Sequence, residues 1–271
     1  APTAEVVRTQ RQILRHLQAE FQRSKLRRDF PDVGEVGALQ RNIVGVGASG
    51  APRISSGVRV VNQKGAEKIR FCATSATRDA SNRQIFIDGV KNILGIEPEV
   101  IPGTEEAALS FLGATKELKH AQTPYLVVDI GGGSTEFVFG EDEVKFSRSV
   151  DIGCVRMAER HLKVSPPKPL DFQNAIVDID KAIHHAEALV PIKEAQTLIA
   201  VAGTATTVAA AALDLDSYDR HAIHLARIPA EKVLEIAQRF QLMNRDEIAA
   251  LPYMHPGRVD VIAAGALVLS R

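Results

Sequence analysis

Tyr125-Leu-Val-Val-Asp-Ile-Gly-Gly-Gly-Ser-Thr-Glu-Phe-Val-Phe139 is the segment from which the fold of this chain can be predicted. Residues 125–129 form a short apolar run typical of a buried strand, and residues 135–139 have the same character beyond the glycines. Because glycine lacks a side chain, three in succession let the backbone turn tightly and approach a ligand closely. The segment therefore predicts a strand, a loop and a second strand.

The same segment has the composition of a phosphate-binding loop. Successive backbone N–H groups in such a turn converge on one point, as a phosphate oxygen requires. We expect the phosphate to be bound by the loop and its hydroxyl side chains, namely Gly131, Gly132, Gly133, Ser134 and Thr135. Asp129 and Glu136 flank the loop and are candidates to hold a divalent cation, and Glu136 could instead orient a water molecule. The alternative is a glycine turn that only closes a tight hairpin.

A second loop follows a predicted strand at Thr197–Val201. The segment Ala202-Gly-Thr-Ala-Thr-Thr207 opens an alanine-rich helix, and helix N-termini bind phosphate. Gly203 and Thr204 are the phosphate-binding candidates here. An ordinary turn with a threonine cap is the alternative.

Helices and strands alternate around these loops. We predict a strand at residues 69–73, a helix at 81–94 capped by Ser81, and a strand at 99–101. A further helix begins at a Thr104 cap, with Glu105 and Glu106 in its first turn, where the helix dipole favours acids. Later helices are predicted near residues 170–188, 229–241 and 258–270. These elements predict an α/β architecture.

The sequence predicts less regular structure for the first 60 residues. Residues 5–26 have the spacing of a basic amphipathic helix, to which we assign no chemistry, and residues 42–46 resemble a short strand.

Composition limits the functions that this chain can have. With 271 residues and 45% apolar residues, the chain can form one or two packed domains. It has 33 basic and 33 acidic residues, so no overall field would attract nucleic acid or an anionic membrane. Cys72 and Cys154 lack the spacing of a zinc site or a disulfide framework. With no membrane-spanning or secretory stretch, we expect a soluble cytoplasmic protein with buried thiols.

Six motifs in one order resemble the exopolyphosphatase and guanosine-pentaphosphate phosphatase family, within the superfamily of actin-like and sugar-kinase-like ATPase folds. The resemblance covers residues 44–271. Its motifs are Ala73-Thr-Ser-Ala-Thr-Arg-Asp-Ala80, Gly103-Thr-Glu-Glu-Ala-Ala-Leu-Ser-Phe111, Val128-Asp-Ile-Gly-Gly-Gly-Ser-Thr-Glu136, Ile152-Gly-Cys-Val-Arg156, Ala202-Gly-Thr-Ala-Thr-Thr207 and His255-Pro-Gly-Arg258.

The resemblance implies two ribonuclease-H-like domains flanking a cleft, over residues 1–123 and 124–271. It implies that Glu106 is the base that activates water, that the backbone of residues 131–134 holds the phosphoryl group, and that Arg78 binds its oxygens. Inorganic polyphosphate or guanosine pentaphosphate is the implied substrate, with Mg²⁺ or Mn²⁺ as the cofactor. Family members often dimerise, so a homodimer is also an expectation.

The chain departs from the family pattern at its beginning. Family members open with a first phosphate loop of the type Asp-x-Gly-Ser/Thr-Asn-Ser, and no such segment occurs before residue 60. We expect the sequence to be a portion of a longer chain. A non-catalytic sensor of polyphosphate or of a phosphorylated guanosine nucleotide is the alternative function, and a sugar-kinase-like transferase is a third.

Overall fold

The computed structural model describes residues 69–78, 80–118 and 121–271. The chain divides into two compact units, Ala1–Gly103 and Thr104–Arg271. The predicted helix at residues 5–26 and the predicted strand at 42–46 lie outside the described residues. The predicted domain boundary between residues 123 and 124 stays a prediction.

The described part of the first unit is a small α/β piece. It contains β1 (Cys72–Ala73), α1 (Ser75–Arg78), α2 (Arg83–Leu94) and β2 (Glu99–Val100). The two strands pair in parallel, and Phe71 and Val90 form the buried core beneath α2.

The predicted cap of α2 is wrong by one residue. The N-cap is Asn82 and not Ser81, because the chain turns once more after Ala80, whose carbonyl accepts a hydrogen bond from the N–H of Arg83. The helix ends at Gly95, whose φ of 70° is the left-handed conformation that glycine adopts without strain.

The second unit carries the main sheet and most of the helices. Its strands are β3 (Tyr125–Ile130), β4 (Thr135–Gly140), β5 (Val144–Val150) and β6 (Thr197–Val201). Its helices are α3 (Gly103–Thr115), α4 (Cys154–His161), α5 (Pro169–Glu187), α6 (Ala202–Ala212), α7 (Arg220–Ile223), α8 (Ala230–Leu242), α9 (Arg245–Ala249) and α10 (Ile262–Ser270), with 3₁₀ turns at Ile192–Glu194 and Pro256–Arg258.

The sheet has the order β5-β4-β3-β6. Strands β5, β4 and β3 are antiparallel neighbours, whereas β6 runs parallel to β3 after the crossover through α4 and α5. The predicted strands on both sides of the glycines and at Thr197–Val201 are confirmed, whereas β5 was not predicted. Most side chains of β5 are exposed, so it lacks the apolar run by which the other strands were recognised.

Helices cover both faces of this sheet, because successive side chains of each strand point to opposite sides. On one face, Val127 and Val138 pack against Phe111 of α3. On the other, Val128 and Phe137 belong to a larger core with α4, α5 and α10. The α/β class is therefore confirmed.

Helix α3 begins one residue earlier than expected. Since it starts at Gly103, Thr104 lies within its first turn and is not the cap, while Glu105 and Glu106 occupy that turn as predicted. In the described part of the chain, no helix combines the length and the apolar character needed to cross a membrane.

An ion-pair cluster joins α4 to α5. Asp178 on α5 accepts a hydrogen bond from Arg160 and lies 3.0 Å from Nε2 of His161. Partial burial opposes ionisation of Asp178, but the hydrogen bonds of His161 and Arg160 outweigh it and lower the pKa of the carboxyl group.

We predict that Asp178→Asn destabilises the protein at pH 7 by about 1 kcal/mol, which is typical of a partly exposed ion pair. Because the pKa of Asp178 is lower in the folded state, its contribution is complete above the unfolded pKa of about 3.9 and is lost as the pH falls through the folded value. Urea unfolding between pH 7 and pH 3 should show the two proteins converging at the acidic end. An equal loss of stability of Asp178→Asn at every pH would contradict this prediction. Asp142→Asn, in the exposed turn between β4 and β5, is the control.

Candidate functional site

The glycine loop at residues 131–134 connects β3 to β4 and is closed by a hydrogen bond from the N–H of Gly131 to the carbonyl of Ser134, at 3.0 Å. Its other carbonyls point at the beginning of α4. Gly131 O accepts a hydrogen bond from the N–H of Cys154 at 2.9 Å. Gly132 O accepts from the N–H groups of Val155 and Arg156, at 2.9 and 3.0 Å. Gly133 O accepts from the N–H of Gly153 at 3.3 Å. The loop thereby caps a helix whose N-cap residue, Gly153, has no side chain to do so.

This orientation leaves the loop amides facing the other way. Among the described residues, no acceptor is recorded for the N–H groups of Gly132, Gly133 and Ser134. Adjacent amides of this kind form a concave site for an anion. The predicted phosphate-binding role of the loop backbone is therefore supported by where its carbonyls are bound.

Two residues that sequence reasoning left without a role hold the loop in place. Arg156 donates from Nε to Gly133 O at 2.6 Å, and its Nη2 lies 2.9 Å from Oδ1 of Asp151. Gly153 packs so closely that a Cβ atom there would lie 2.4 Å from the carbonyl group of Gly132. Both residues lie in the motif Ile152-Gly-Cys-Val-Arg156. This motif was the signal in the sequence from which their roles could have been recognised.

Asp129 and Glu136 are brought together directly below the loop. They are cross-strand partners of β3 and β4. Glu136 Oε1 accepts hydrogen bonds from Ser134 Oγ at 2.6 Å and Ser149 Oγ at 2.8 Å. Burial raises the pKa of Glu136, the negative charge of Asp129 raises it further, and the serine hydrogen bonds partly oppose the shift. A cation between these carboxylates would relieve their repulsion.

Helix α3 presents Glu106 to the same face of the sheet. Ser110 donates from Oγ to Oδ2 of Asp129 at 3.1 Å, which fixes the side of α3 that faces the strand ends. Glu106 precedes Ser110 by four residues, so the two side chains share one side of the helix. Glu105 lies about 100° away around the helix axis, since an α-helix has about 3.6 residues per turn. This geometry favours Glu106 over Glu105 as the acid on the side of α3 that faces Asp129.

The hydroxyl groups expected to bind phosphate have partners within the protein. Thr135 is fully buried and donates to the carbonyl of Ile152 at 3.2 Å, on the face of β4 that packs against α4. The Ser134 hydroxyl donates to Glu136. The predicted roles of Ser134 and Thr135 in binding phosphate stay predictions, and both hydroxyl groups also hold the local structure through these internal hydrogen bonds.

The second loop is also occupied by internal contacts. The carbonyl of Gly203 accepts hydrogen bonds from the hydroxyls of Thr206 and Thr207. Thr204 is buried, with Oγ1 against the backbone of Gly265. Ala202 has a φ of 69°, so the strand-to-helix junction contains a left-handed non-glycine residue.

Two further residues of the quoted motifs adjoin this second loop. The guanidinium group of Arg258 lies where a Cβ of Gly203 would be, so a side chain at this position would have to displace it. Burial raises the pKa of the Cys154 thiol, which is hydrogen-bonded to Thr204, while the charge of Arg258 acts in the opposite direction. Cys154 and Cys72 form no disulfide; Cys72 is buried, as predicted, whereas Cys154 is half-buried.

Arg78 lies in the first unit, at the end of α1, where its Nη1 donates to the carbonyl of Ile101 at 3.1 Å. Its role in binding phosphate oxygens stays a prediction.

No group of three or more His, Cys, Asp and Glu side chains in the described ranges is arranged to hold a metal ion. The cation site expected from Asp129 and Glu136 thus consists of two carboxylates.

Residues 33–271 match the model of the Ppx/GppA phosphatase family. Exopolyphosphatase 2 of Mycobacterium tuberculosis is 47% identical over 209 residues, which are 75% of this chain. Guanosine-5'-triphosphate,3'-diphosphate pyrophosphatase of Photobacterium profundum is 39% identical over 126 residues, or 46% of this chain.

A solved structure described as an exopolyphosphatase-like protein is 40% identical, with a TM-score of 0.80. The match covers 86% of this chain and 75% of that one. The chain spans 66% of the length of the mycobacterial relative and 24% of that of the pyrophosphatase.

We predict that Gly153→Ala weakens binding of inorganic phosphate at least about tenfold and destabilises the protein by about 1–3 kcal/mol, as overpacking at a rigid contact does. The new methyl group would clash with the backbone of Gly132 and Gly133, so the loop amides would move. Calorimetric phosphate titration and thermal unfolding measure the two effects.

Gly103→Ala is the matched control for stability, because a Cβ there meets no atom within 4 Å. Phosphate affinity and stability unchanged in Gly153→Ala would contradict the close packing of the loop on α4.

Proposed function

This chain belongs to the Ppx/GppA phosphatase family, and from that membership we propose that it hydrolyses the terminal phosphoanhydride bond of inorganic polyphosphate or of guanosine pentaphosphate. The observation that carries the proposal is the glycine loop. Its carbonyls are bound to α4, so its amides face the side on which the carboxylates of Asp129 and Glu136 lie. The names of the mycobacterial and Photobacterium relatives support the two substrate classes.

In the proposed mechanism, the loop amides bind the terminal phosphoryl group and Glu106 acts as the general base. Glu106 takes a proton from a water molecule as the water oxygen attacks the terminal phosphorus. The bond from that phosphorus to the bridging oxygen breaks, and the departing phosphate keeps the electron pair. Such a transfer depends mainly on positioning and charge stabilisation, which fixed backbone amides provide.

Asp129 and Glu136 fit a Mg²⁺ or Mn²⁺ ion by their chemistry. Mg²⁺ prefers hard oxygen ligands and commonly takes one or two carboxylates together with water and phosphate oxygens. When bound, the ion would neutralise charge on the phosphate oxygens. The protein's own contribution is to keep Glu136 oriented through Ser134 and Ser149, and Asp129 through Ser110.

We also propose that the second unit is a ribonuclease-H-like domain of the actin-like superfamily. Its three antiparallel strands followed by a parallel fourth, with helices on both faces, support this assignment. The likeness to the exopolyphosphatase-like structure supports it further. Cytoplasmic location, homodimer formation and the cleft between two such domains stay predictions.

We predict that Glu106→Gln lowers phosphate release at least about 100-fold, the usual loss when a general base is removed. Polyphosphate binding should change little, because the loop amides are intact. Release of inorganic phosphate from polyphosphate and from guanosine pentaphosphate, each with Mg²⁺, measures the effect and identifies the preferred substrate.

Glu105→Gln is the matched control, since it makes the same change one residue away on another side of α3. If Glu105→Gln lost activity and Glu106→Gln kept it, the assigned base would be wrong. If the wild-type chain bound polyphosphate but released no phosphate, the non-catalytic sensor would replace the enzyme.

A further inference from the structure

A cavity of about 330 Å³ lies in the second unit, beside strand β5 and helices α4 and α5. Its wall includes Val150 and Ile152, which belong to the core on the α4 and α5 side of the sheet. Asp129 and Glu136 lie on the other face, toward α3, as the hydrogen bond of Ser110 to Asp129 indicates. The cavity therefore opens on the opposite face of the sheet from these carboxylates, and it adjoins the site through Ser149, which lies in its wall and donates to Glu136.

The acidic residues of the cavity wall are already neutralised. Asp178 is bound by Arg160 and His161, and Asp151 is paired with Arg156. Each carboxylate that the described residues contribute to the wall thus has a cationic partner.

Three basic residues of the wall differ from these paired acids. Arg148, Lys181 and His185 line the cavity, and within the described ranges none of them has a recorded hydrogen bond or ion pair. Arg148 contributes a guanidinium group and Lys181 an ammonium group. The cavity is accordingly a local concentration of positive charge in a chain whose overall charge is zero.

We propose that this cavity binds a short inorganic chain of phosphate groups at a site distinct from the glycine loop. A guanidinium group binds phosphate oxygens in a bidentate manner, a lysine adds a point charge, and an imidazole N–H can donate a further hydrogen bond. The volume equals that of about ten water molecules at ~30 Å³ each, which accommodates a di- or triphosphate.

The lining favours a bare phosphate chain over a nucleotide. Among the residues that the structure describes, the lining contains no Phe, Tyr or Trp side chain on which a base could stack. The repeated negative charge of a phosphate chain is sufficient to match the basic groups of the wall.

The test is a calorimetric titration of the full chain with inorganic triphosphate, in EDTA to prevent metal-dependent hydrolysis. We expect two binding sites in the wild type and one in Arg148→Glu/Lys181→Glu, with at least a tenfold loss of affinity at the cavity. Lys163→Glu/Arg227→Glu makes the same change of charge at exposed residues outside the cavity and should keep both sites. Arg148→Gln/Lys181→Gln gives the same comparison if the charge reversals prevent folding.

Loss of no site in either cavity variant would overturn the proposal. A second arm uses adenosine triphosphate, and binding at the cavity ten times tighter than that of inorganic triphosphate would overturn the preference for a bare chain. The outcome is independent of the proposed function. If the glycine loop bound no phosphate, the wild type would show one site, and the cavity variants would abolish it.

Discussion

The hydrogen bonds between the glycine-loop carbonyls and the first N–H groups of α4 are the constraint on which the site depends. A helix N-terminus leaves several N–H groups without intrahelical partners, and here residues 131–133 supply the acceptors. One set of bonds therefore does two things. It caps a helix that has no side-chain cap, and it turns the loop amides toward the strand ends where Asp129 and Glu136 lie.

Three residues around the loop hold this arrangement in place. Arg156 holds Gly133, Gly153 leaves room for the loop backbone, and Ser134 orients Glu136. Glu136 is consequently kept in a half-buried position beside Asp129, where its negative charge is disfavoured. A protein maintains such a carboxylate pair at a cost in stability, which is typical of functional sites that receive a cation or a proton.

Local patterns explain what could be predicted from the sequence. Apolar runs flanking three glycines specified β3, the loop and β4, and the carboxylates at the strand ends followed from their positions. The inward orientation of Thr135 could also have been predicted, because it shares one face of β4 with Phe137 and Phe139. The contacts of Thr204 could not, since Gly265 and Cys154 approach it only through tertiary packing. The capping of α4 by the loop could not be predicted either. It depends on where α4 lies after β5, an exposed strand that the apolar pattern did not reveal.

The central claim is that the amides of Gly132, Gly133 and Ser134 bind phosphate while the first amides of α4 remain bound to the loop. Two-dimensional ¹H–¹⁵N NMR during titration with inorganic phosphate tests this directly. The account predicts large downfield proton shifts for those three loop amides and little change for Cys154, Val155 and Arg156. Unchanged loop amides, or shifts confined to the amides of α4, would contradict it.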